Sequence, residues 1–505
     1  MIFLLPVLTG LFLVLSFPRA DQGYLAWIAY IPLIYFIIRA KTVKAALAGG
    51  FIAGFIQLFS LLVWMPAVLT RYGGLSGLLA WLAYVLLIAL LASYPAAACA
   101  VTKYLTRRRG DAFILLLPFI WVLFEYVNSV TPFGGLPWLL AGYSQSRYLH
   151  IIQIADISGV YGISFLLLWT GTAAVWLVRN QGRGISARIS AAAAIVLIAG
   201  SLAYGAAALR RWADLSPRYS AAMLQANISF DDPELLDKFR AGYVRMADRL
   251  AKGTDLLILP ESPSPVSFDT DTGYRNAIES LARRFPLGLI FNNVAERGSG
   301  ESLRYFNSAY FLNGRGTVTG VYDKIHLVPF GEYVPLKELF SFVDTVSKDV
   351  GSFDAGTDYR IVNIGGRPSN AVICFEAVFP SLVRRFVRQG SRLVVNLTND
   401  GWYGDSAAPY QHLAIARFRA VENRRYMLRA TNSGISAFIE PSGNIPVSTG
   451  ILQQAVCAGR FDFIASATFY TRYGDVFIFL CAIISCGSAL CAGLGSAGKK
   501  EKRSR

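Results

Sequence analysis

The stretch SNAVICFE, residues 369–376, has the composition of a buried β-strand that ends at a cysteine. Small and β-branched residues lead to Cys374, and the carboxylate of Glu376 follows two positions later. Cysteine is the best nucleophile among the ordinary side chains at neutral pH, because a few per cent of it is already thiolate. A cysteine at a strand end is also a common small packing residue. The stretch alone leaves both interpretations open, and the rest of the chain has to decide between them.

The overall composition indicates a membrane protein. The 505 residues are 54% hydrophobic and only 16% charged, and their mean hydropathy is +0.44. These values are too apolar for a soluble protein of this length and are typical of a chain that crosses the bilayer many times. The net charge of +16 would suit nucleic acid if it formed one basic face. The basic residues lie instead in short loops, so we expect no nucleic-acid partner.

Eight apolar runs predict eight transmembrane helices. A crossing needs about 20 apolar residues, and most of the runs reach that length, although the second and fifth are somewhat short. The first run has no basic segment before it and no clear cleavage site, so we expect it to be a retained helix rather than a signal peptide. The runs cover about 2–18, 24–38, 45–69, 75–101, 112–127, 156–178, 189–208 and 476–494.

The basic residues of the short loops predict the orientation. Fifteen Lys and Arg residues lie in alternate short loops and the C-terminal tail, whereas only three lie in the opposite short loops. Because basic residues favour the cytoplasmic side, we expect both termini in the cytoplasm. The predicted domains are 1–209 with seven helices, an exported, periplasmic domain at 210–473, and 474–505 with the eighth helix and a basic tail.

The exported segment alternates strands with helices. Five short runs rich in Val, Ile and Leu predict buried strands, and three amphipathic stretches predict helices between them. This alternation is typical of a layered α/β domain, and about 260 residues suffice for one with a full core. The strands are Ser220–Gln225, Asp255–Pro260, Leu287–Asn292, Asn370–Cys374 and Leu393–Leu397, and the helices are 232–252, 273–284 and 409–425.

Cysteine and histidine spacing predicts no metal site and no cofactor. The six cysteines include no CxxC pair, and the three histidines form no HExxH motif. Only Cys374 and Cys457 lie in the exported segment. Because the exported compartment is oxidising, a disulfide between them is an alternative to a reactive thiol.

Three reactive groups lie at strand ends or in loops of the exported domain. Glu261 follows the strand LLILP, Lys324 lies within VYDKIHLVPFGEY, and Cys374 ends the strand at 369–376. Singly, these are a solvated strand terminus, a surface charge and a core residue. In combination, a carboxylate base, an ammonium and a thiol are what acyl transfer through a thioester requires. The carboxylate takes the thiol proton, and the ammonium lowers the thiol pKa and stabilises the oxyanion.

The order Glu, Lys, Cys with these flanking residues resembles the nitrilase superfamily, whose domain is an αββα sandwich. Within that superfamily the chain resembles the apolipoprotein N-acyltransferase family, over essentially its whole length. The segments that carry the resemblance are PES at 260–262, KIHLVPFGEYVP at 324–335, ICFE at 373–376, TNDGWYGD at 398–405 and PWLLAGYSQ at 137–145.

The resemblance implies an activity and its partners. The enzyme would take an acyl chain from a phospholipid, hold it as a thioester on Cys374, and pass it to the α-amino group of the diacylglyceryl-cysteine that begins an apolipoprotein. By similarity Glu261 is the general base and Lys324 the oxyanion partner. Glu332 resembles a second glutamate that positions the lysine or shuttles protons, the alternative being a surface charge. The implied location is the bacterial inner membrane.

Two further residues beside the nucleophile have supporting roles in this interpretation. We expect Glu376 to shape the pocket and order the strand exit rather than to react. The family often has Tyr where this chain has Phe375, so any role of that hydroxyl is absent, while the backbone N–H after Cys374 remains an oxyanion donor.

Lipid and substrate contacts are expected at four more residues. Segment 336–347, with Phe340 and Phe342, is unusually apolar for a loop; it suits a lid at the membrane interface and equally a helix packed on the domain. Trp402 is a candidate substrate contact within the TNDGWYGD segment. Glu125, near the periplasmic end of the fifth helix, is a candidate for binding an amine or headgroup, or for capping the helix bundle.

Two rival functions remain open from the sequence. A membrane-tethered nitrilase-type amidase would use Glu261, Lys324 and Cys374 with water as the acceptor. A transporter would account for eight helices, but no pair of Gly- or Pro-broken helices recurs between two halves of the helical part, as many transporters require.

Overall fold

In the computed structural model, the described residues are 2–213, 216–228, 235–250, 252–333 and 353–501. The chain forms two compact units. The helical unit comprises Met1–Val63, Trp81–Leu209 and Tyr473–Arg505, and the α/β unit comprises Trp64–Ala80 and Arg210–Arg472. The sequence did not predict that residues 64–80, which include the end of one apolar run and the start of the next, belong with the α/β unit.

Seventeen α-helices occur in the described residues. In chain order they are α1 (Leu4–Ser16), α2 (Ala26–Ala29), α3 (Ile31–Arg39), α4 (Val43–Leu61), α5 (Met65–Arg71), α6 (Gly77–Arg109), α7 (Leu117–Asn128), α8 (Leu149–Ile152), α9 (Ala155–Ser158), α10 (Val160–Arg179), α11 (Ile185–Ala213), α12 (Leu235–Asp248), α13 (Thr272–Ala282), α14 (Pro380–Arg388), α15 (Ala408–Asn423), α16 (Phe469–Tyr473) and α17 (Val476–Glu501). Short 3₁₀ turns span Gly23–Leu25, Asp111–Leu116, Ala141–Gln145, Gly300–Ser302, Cys374–Val378 and Asp400–Tyr403.

Each of the eight apolar runs coincides with helical structure. Among the described residues, five helices are long and apolar enough to cross a membrane by length and composition. The other apolar helical stretches found there are shorter, so a total of eight crossings stays a prediction; they are Leu4–Ser16, Gly23–Arg39, Leu149–Ser158 and Val476–Leu490. The five are Val43–Leu61, Gly77–Arg109, Asp111–Asn128, Val160–Arg179 and Ile185–Ala213.

Glycines allow two of these long helices to approach closely. A methyl group on Gly50 of α4 would lie 2.7 Å from the carbonyl oxygen of Pro95 in α6, and one on Gly54 would lie 2.5 Å from the Pro95 ring. Small residues four positions apart on one face are a common means of close helix contact in membranes. The spacing of Gly50 and Gly54 therefore explains this contact within the helical unit.

Two six-stranded sheets form the centre of the α/β unit. The first has the order β12-β1-β2-β3-β4-β5 and the second β11-β10-β9-β8-β7-β6. The strands are β1 (Tyr219–Gln225), β2 (Leu256–Ile258), β3 (Gly288–Arg297), β4 (Arg304–Leu312), β5 (Val318–Asp323), β6 (Val362–Ile364), β7 (Arg367–Ile373), β8 (Val394–Thr398), β9 (Met427–Thr431), β10 (Ala437–Ile439), β11 (Val447–Ser448) and β12 (Ala455–Phe461).

Each sheet contains three parallel strands flanked by antiparallel ones. In the first sheet β1, β2 and β3 run parallel, and in the second β7, β8 and β9 do so. Strands covered on both faces are apolar throughout rather than alternating. This is why LLI in β2 and VVNLT in β8 are buried at every position.

The sheets pack on each other, with helices on their outer faces. Strand β1 contacts β9, and β4 contacts β7, while α12 and α13 lie against the first sheet and α15 against the second. This arrangement confirms the predicted αββα sandwich. All five predicted strands and all three predicted helices are present. The β4–β5 hairpin and the strands after β8 were not predicted.

The carboxyl ends of the parallel strands meet at one edge of the sandwich. The backbone N–H of Glu261, just after β2, donates to the carbonyl of Thr398, the last residue of β8, at 3.4 Å. Two residues at this edge have positive φ, Ser262 and Cys374, both at +49°. Each turns the chain sharply as it leaves a strand. The fold therefore brings the ends of both sheets to one place.

Candidate active site

Cys374 begins a 3₁₀ turn, Cys374–Val378, directly after β7. Its φ of +49° is unusual for a residue other than glycine, and such a conformation costs on the order of 1–3 kcal/mol and occurs mainly at functional sites. The side chain is 5% exposed. Both Cys374 and Cys457 carry free thiols, so the alternative of a disulfide between them is wrong. The turn presents one reduced thiol in a strained strand-to-turn conformation.

Glu261 lies against this thiol. It is also 5% exposed, and its pKa is raised by burial and by the neighbouring Glu332, while the Lys324 ammonium and hydrogen bonds, one of them to Cys374, act in the opposite direction. Oε2 accepts a hydrogen bond from the backbone N–H of Asn399 at 3.0 Å. A carboxylate with a raised pKa is a stronger base than an exposed one. Glu261 is thus oriented to receive the thiol proton.

Lys324 follows β5 and is 1% exposed. Its Nζ lies 2.8 Å from Oε1 of Glu332 and 3.8 Å from Oε1 of Glu261. Burial alone would lower the pKa of this ammonium, but the two carboxylates raise it above its usual value. Lys324 is therefore a fixed positive charge beside the thiol.

Glu332 is a partner of this lysine rather than a surface charge. Its Oε1 accepts from Lys324 Nζ, and its Oε2 accepts from the backbone N–H of Val328 at 2.8 Å. The side chain is 13% exposed. These contacts fix the position of the ammonium relative to the loop that carries Val328.

The thiol is protonated at rest. Burial and the negative charge of Glu261 raise the pKa of Cys374, and Lys324 acts in the opposite direction without reversing the shift. Lys324 lowers the thiol pKa, as expected, but burial has the larger effect. A thiol in this state would have to lose its proton to act as a nucleophile, and Glu261 is a carboxylate that hydrogen-bonds it.

Asn307 is a site residue that the sequence did not predict. It lies in β4, is buried, and its Nδ2 donates to Oε1 of Glu261 at 3.1 Å and to Oε1 of Glu332 at 2.9 Å. Its backbone carbonyl accepts from the backbone N–H of Lys324 at 2.8 Å. Asn307 thus fixes both carboxylates through its side chain and Lys324 through its backbone. A polar residue within the apolar strand RYFNSAYFL was the available signal.

Glu376 is fully buried and supports the backbone around the site. Its Oε1 accepts three hydrogen bonds at 2.7–3.1 Å, from the hydroxyl of Tyr322 and from the backbone N–H groups of Ile325 and His326. Its Oε2 accepts from the backbone N–H of Ile373 at 2.8 Å. These bonds join the loop that carries Lys324 to the strand that delivers Cys374. The geometry favours the expected ordering role.

Phe375 packs into an aromatic cluster next to the nucleophile. Its ring centroid lies 5.1 Å from that of Phe379 and 6.1 Å from that of His326. Burial and the Lys324 charge lower the pKa of His326 to about 4, so this imidazole is neutral at physiological pH. The cluster makes an apolar wall on one side of the turn Cys374–Val378.

The turn Asp400–Tyr403 also lies near the Cys374 thiol. Thr398, just before it, hydrogen-bonds the Cys374 thiol. Trp402 is half-buried, with its ring centroid 4.4 Å from that of Tyr72, and Tyr403 is 4.7 Å from Trp64. Residues 64–80 therefore contribute aromatic side chains next to Trp402 within the α/β unit.

The remaining candidates lie elsewhere. Glu125 lies in the helical unit, where its Oε1 accepts from the backbone N–H of Ala141 at 2.9 Å and from Nε1 of Trp121 at 3.3 Å. These contacts hold the turn Ala141–Gln145 on α7 and agree with the capping alternative. Phe340 and Phe342, with segment 336–347, lie outside the described residues. Across the described ranges no group of three or more His, Cys, Asp or Glu could hold a metal ion.

Two protein families match separate parts of the chain. Residues 9–173 match the family described as Apolipoprotein N-acyltransferase N-terminal domain, and residues 220–463 match the family described as Carbon-nitrogen hydrolase. The solved structure of Nit3 from Saccharomyces cerevisiae, a member of branch 10 of the nitrilase superfamily, is 19% identical, with a TM-score of 0.38 over 49% of this chain and 91% of that chain.

Curated relatives match almost the full length. The apolipoprotein N-acyltransferase of Geobacter metallireducens is 38% identical over 97% of this chain and 95% of its own. That of Chlorobaculum tepidum is 29% identical over 97% of this chain and 96% of its own. This identity and coverage confirm the resemblance found in the sequence. The chain belongs to the apolipoprotein N-acyltransferase family.

Proposed function

We propose that the protein transfers a fatty acyl chain from a phospholipid, through a thioester on Cys374, to the N-terminal amine of diacylated apolipoproteins. The family assignment supports N-acylation of apolipoproteins as the activity. The observation that carries the residue assignment is the buried cluster in which Glu261 and Lys324 adjoin the Cys374 thiol. The folded chain brings these three groups together from three different strand ends.

The first half-reaction forms the thioester. Glu261 accepts the thiol proton as the sulfur of Cys374 attacks the ester carbonyl of the phospholipid. Negative charge develops on the carbonyl oxygen, and the Lys324 ammonium stabilises it. Collapse of the intermediate breaks the ester C–O bond, and the leaving alkoxide takes the proton from Glu261 to give a lysophospholipid. The acyl group then remains bound to sulfur.

The second half-reaction transfers the chain to the acceptor. The α-amine attacks the thioester carbonyl, a C–N bond forms, and Glu261 accepts a proton from the amine. Lys324 again faces the oxyanion. When the C–S bond breaks, the proton returns from Glu261 to the sulfur of Cys374. The site is restored without any cofactor.

Glu332 and Asn307 serve this cycle as positioning residues. Glu332 holds the ammonium, and Asn307 holds both carboxylates. The position of the Lys324 ammonium therefore changes little as the proton moves between sulfur and Glu261. Preorganised charges of this kind need no rearrangement at the moment of reaction. We assign Trp402 and its aromatic neighbours to the wall that contacts substrate.

The substrates also account for the membrane part. Both donor and acceptor carry acyl chains anchored in a bilayer, so the thiol has to lie near the lipid surface. We assign 1–209, apart from residues 64–80 of the α/β unit, and 474–505 to the membrane, with eight crossings. We assign 210–473 to the periplasmic side of the inner membrane. The distribution of basic residues supports cytoplasmic termini. The five long apolar helices support the membrane assignment.

Two-substrate kinetics test the proposal. Initial rates are measured with phospholipid vesicles and a synthetic diacylated lipopeptide, each varied at several fixed concentrations of the other. A thioester route gives parallel double-reciprocal lines, because the first product leaves before the acceptor binds. Lines that intersect would contradict it. Release of ammonia from a small amide, without acylation of the lipopeptide, would support the amidase alternative instead.

A further inference from the structure

Helix α15 lies against the nucleophile turn and carries polar groups that the reaction scheme does not use. We propose that His412 and Arg419 are positioning residues for acyl transfer: from one face of α15 they hold the backbone at the two ends of the turn Cys374–Val378. The inference rests on the proposed function in one respect, namely that Cys374 is the nucleophile.

Arg419 contacts the C-terminal end of the turn Cys374–Val378. It is fully buried, and its Nη1 donates to the carbonyl of Val378 at 3.3 Å. Its Nη2 donates to Oε1 of Glu422, one helical turn later, at 2.9 Å. Glu422 is fully buried as well. A buried guanidinium is costly unless it is paired and hydrogen-bonded. The carboxylate thus pairs with the buried guanidinium charge and holds the side chain directed at the turn.

His412 contacts the N-terminal end of the same turn. The imidazole is fully buried and hydrogen-bonds the backbone of Cys374. Its Nδ1 lies 3.0 Å from Oδ1 of Asp400. His412 and Arg419 are seven residues apart, close to two turns of an α-helix, and so lie on the same face. One rigid element therefore contacts both ends of a five-residue turn.

Asp400 connects this support to the general base. Its carboxylate accepts from Nη2 of Arg429 at 2.6 Å, and all three side chains of the Arg429, Asp400 and His412 cluster are buried. The backbone N–H of Asn399, the residue before Asp400, is the donor to Oε2 of Glu261. The position of the thiol and the position of its base are consequently set through adjacent residues of one loop.

The strained backbone of Cys374 explains the need for such support. A residue with φ of +49° keeps that conformation only where its surroundings over-determine it. Glu376 restrains the strand before the nucleophile, through the N–H of Ile373. His412 and Arg419 restrain the nucleophile itself and the end of its turn. Without them the sulfur can move away from Glu261 while the fold persists.

Conservative substitutions test the proposal. His412→Gln and Arg419→Lys retain polar groups of similar length but change the geometry of the hydrogen bonds. A misplacement of about 1 Å can cost about 10²-fold in rate, so we expect each variant to lower kcat for acyl transfer 10- to 100-fold. We expect KM for phospholipid to change less than about 2-fold, because neither side chain is assigned to a substrate contact.

Arg425→Lys is the matched control. Arg425 is a buried arginine just beyond α15, and its guanidinium donates to the backbone carbonyls of Ser391 and Ser466 at 2.8 and 2.6 Å. Ser391 precedes β8, at the end of the strand opposite Thr398. This substitution should lower the thermal unfolding midpoint as much as Arg419→Lys does, with kcat unchanged. Equal loss of kcat in all three variants would overturn the proposal.

A double-mutant cycle with Glu261→Gln separates positioning from general destabilisation. If His412 acts by aligning the thiol with Glu261, its substitution should have little further effect once that base is gone. We expect His412→Gln to slow acyl-enzyme formation less than about 3-fold in the Glu261→Gln background. The full 10- to 100-fold loss there would overturn the proposal. Cys374→Ala tests the proposed function separately, since a wrong nucleophile would leave transfer intact in that variant.

Discussion

Two buried glutamates, Glu261 and Glu376, belong to the surroundings of Cys374, and their side chains have different hydrogen-bond partners. The oxygens of Glu376 accept from four donors, three of them backbone N–H groups. Those of Glu261 accept from Asn307 and Asn399 and also face the Lys324 ammonium and the thiol. Burial is similar for both glutamates. We therefore interpret Glu376, whose oxygens are saturated with fixed donors, as a structural carboxylate. Glu261, which faces the ammonium and the thiol, is the reactive carboxylate of the proposed mechanism.

Loss of the proposed nucleophile, Cys374, should have the largest effect. We expect Cys374→Ala to abolish both half-reactions, a decrease in transfer rate of at least about 10⁴-fold. The fold should persist, because alanine fits the space of a small buried side chain. The rate is measured as acylation of a diacylated lipopeptide by phospholipid vesicles. Residual transfer near the wild-type rate would exclude Cys374 as the acyl carrier.

Removal of the base comes next. We expect Glu261→Gln to slow thioester formation by about 10²- to 10⁴-fold, because the amide cannot accept the thiol proton. The thermal unfolding midpoint should fall no more than in Glu376→Gln, since glutamine keeps the acceptor for the Asn399 N–H and loses only the one for Asn307 Nδ2. Rapid-quench mass measurement of the acyl-enzyme gives the rate. A near-normal rate would show that the two glutamates do not differ as described.

Replacement of the ammonium should change both rate and pH dependence. Loss of one oxyanion partner typically costs about 10²- to 10³-fold, and we expect Lys324→Met to do the same. Lys324 lowers the pKa of the Cys374 thiol while burial raises it, so without this cation the thiol pKa should rise further. Alkylation of Cys374 by iodoacetamide should then begin at higher pH than in the wild type. A shift toward lower pH would contradict the assigned charge effect.

Substitution of Glu376, whose oxygens are saturated with hydrogen-bond donors, should mainly reduce stability. Glu376→Gln loses one acceptor site and places an amide N–H near buried donors, which costs about 1–3 kcal/mol of unfolding free energy. Acyl transfer should fall about 10-fold, because the Lys324 loop and the Cys374 strand are no longer tightly joined. Thermal unfolding and steady-state rates measure the two effects. A rate loss as large as that of Glu261→Gln, at unchanged stability, would remove the distinction.

The smallest expected effect is a dependence of stability on pH. The pKa of His326 is lowered to about 4 in the folded state, whereas an unfolded histidine titrates near 6.5. The unfolded chain therefore binds the proton first as pH falls, and stability is lost between pH 6.5 and 4, by at most ~3 kcal/mol. His326→Gln should reduce the pH dependence of the thermal unfolding midpoint between pH 7 and pH 5. An unchanged slope would contradict this origin.

The sequence predicted the groups at strand ends because their local pattern shows them. Apolar runs that stop at Glu261 and Cys374 predict both the strands and the side chains that leave them, and the structure confirms the strands. The charged residues of 409–425 instead suggested an amphipathic helix. The structure buries His412 and Arg419, because partners far apart in the sequence, such as Asp400 and Val378, meet them in the fold.

Asn307 was missed for a related reason. A single asparagine in a strand has no distinctive local pattern, and its value depends on two carboxylates, Glu261 and Glu332, that come from other elements. The net pKa of the Cys374 thiol was also not predictable, since burial outweighs the nearby ammonium. Charge type follows from sequence, whereas burial depends on the whole fold.

The intact mass of the purified protein after incubation with phospholipid vesicles tests the central claim most directly. The wild type should gain the mass of one fatty acyl group on Cys374 and lose it when the diacylated lipopeptide is added, whereas Cys374→Ala should gain nothing. An unmodified wild type that still acylates the lipopeptide, or an acyl adduct that persists in Cys374→Ala, would contradict the account.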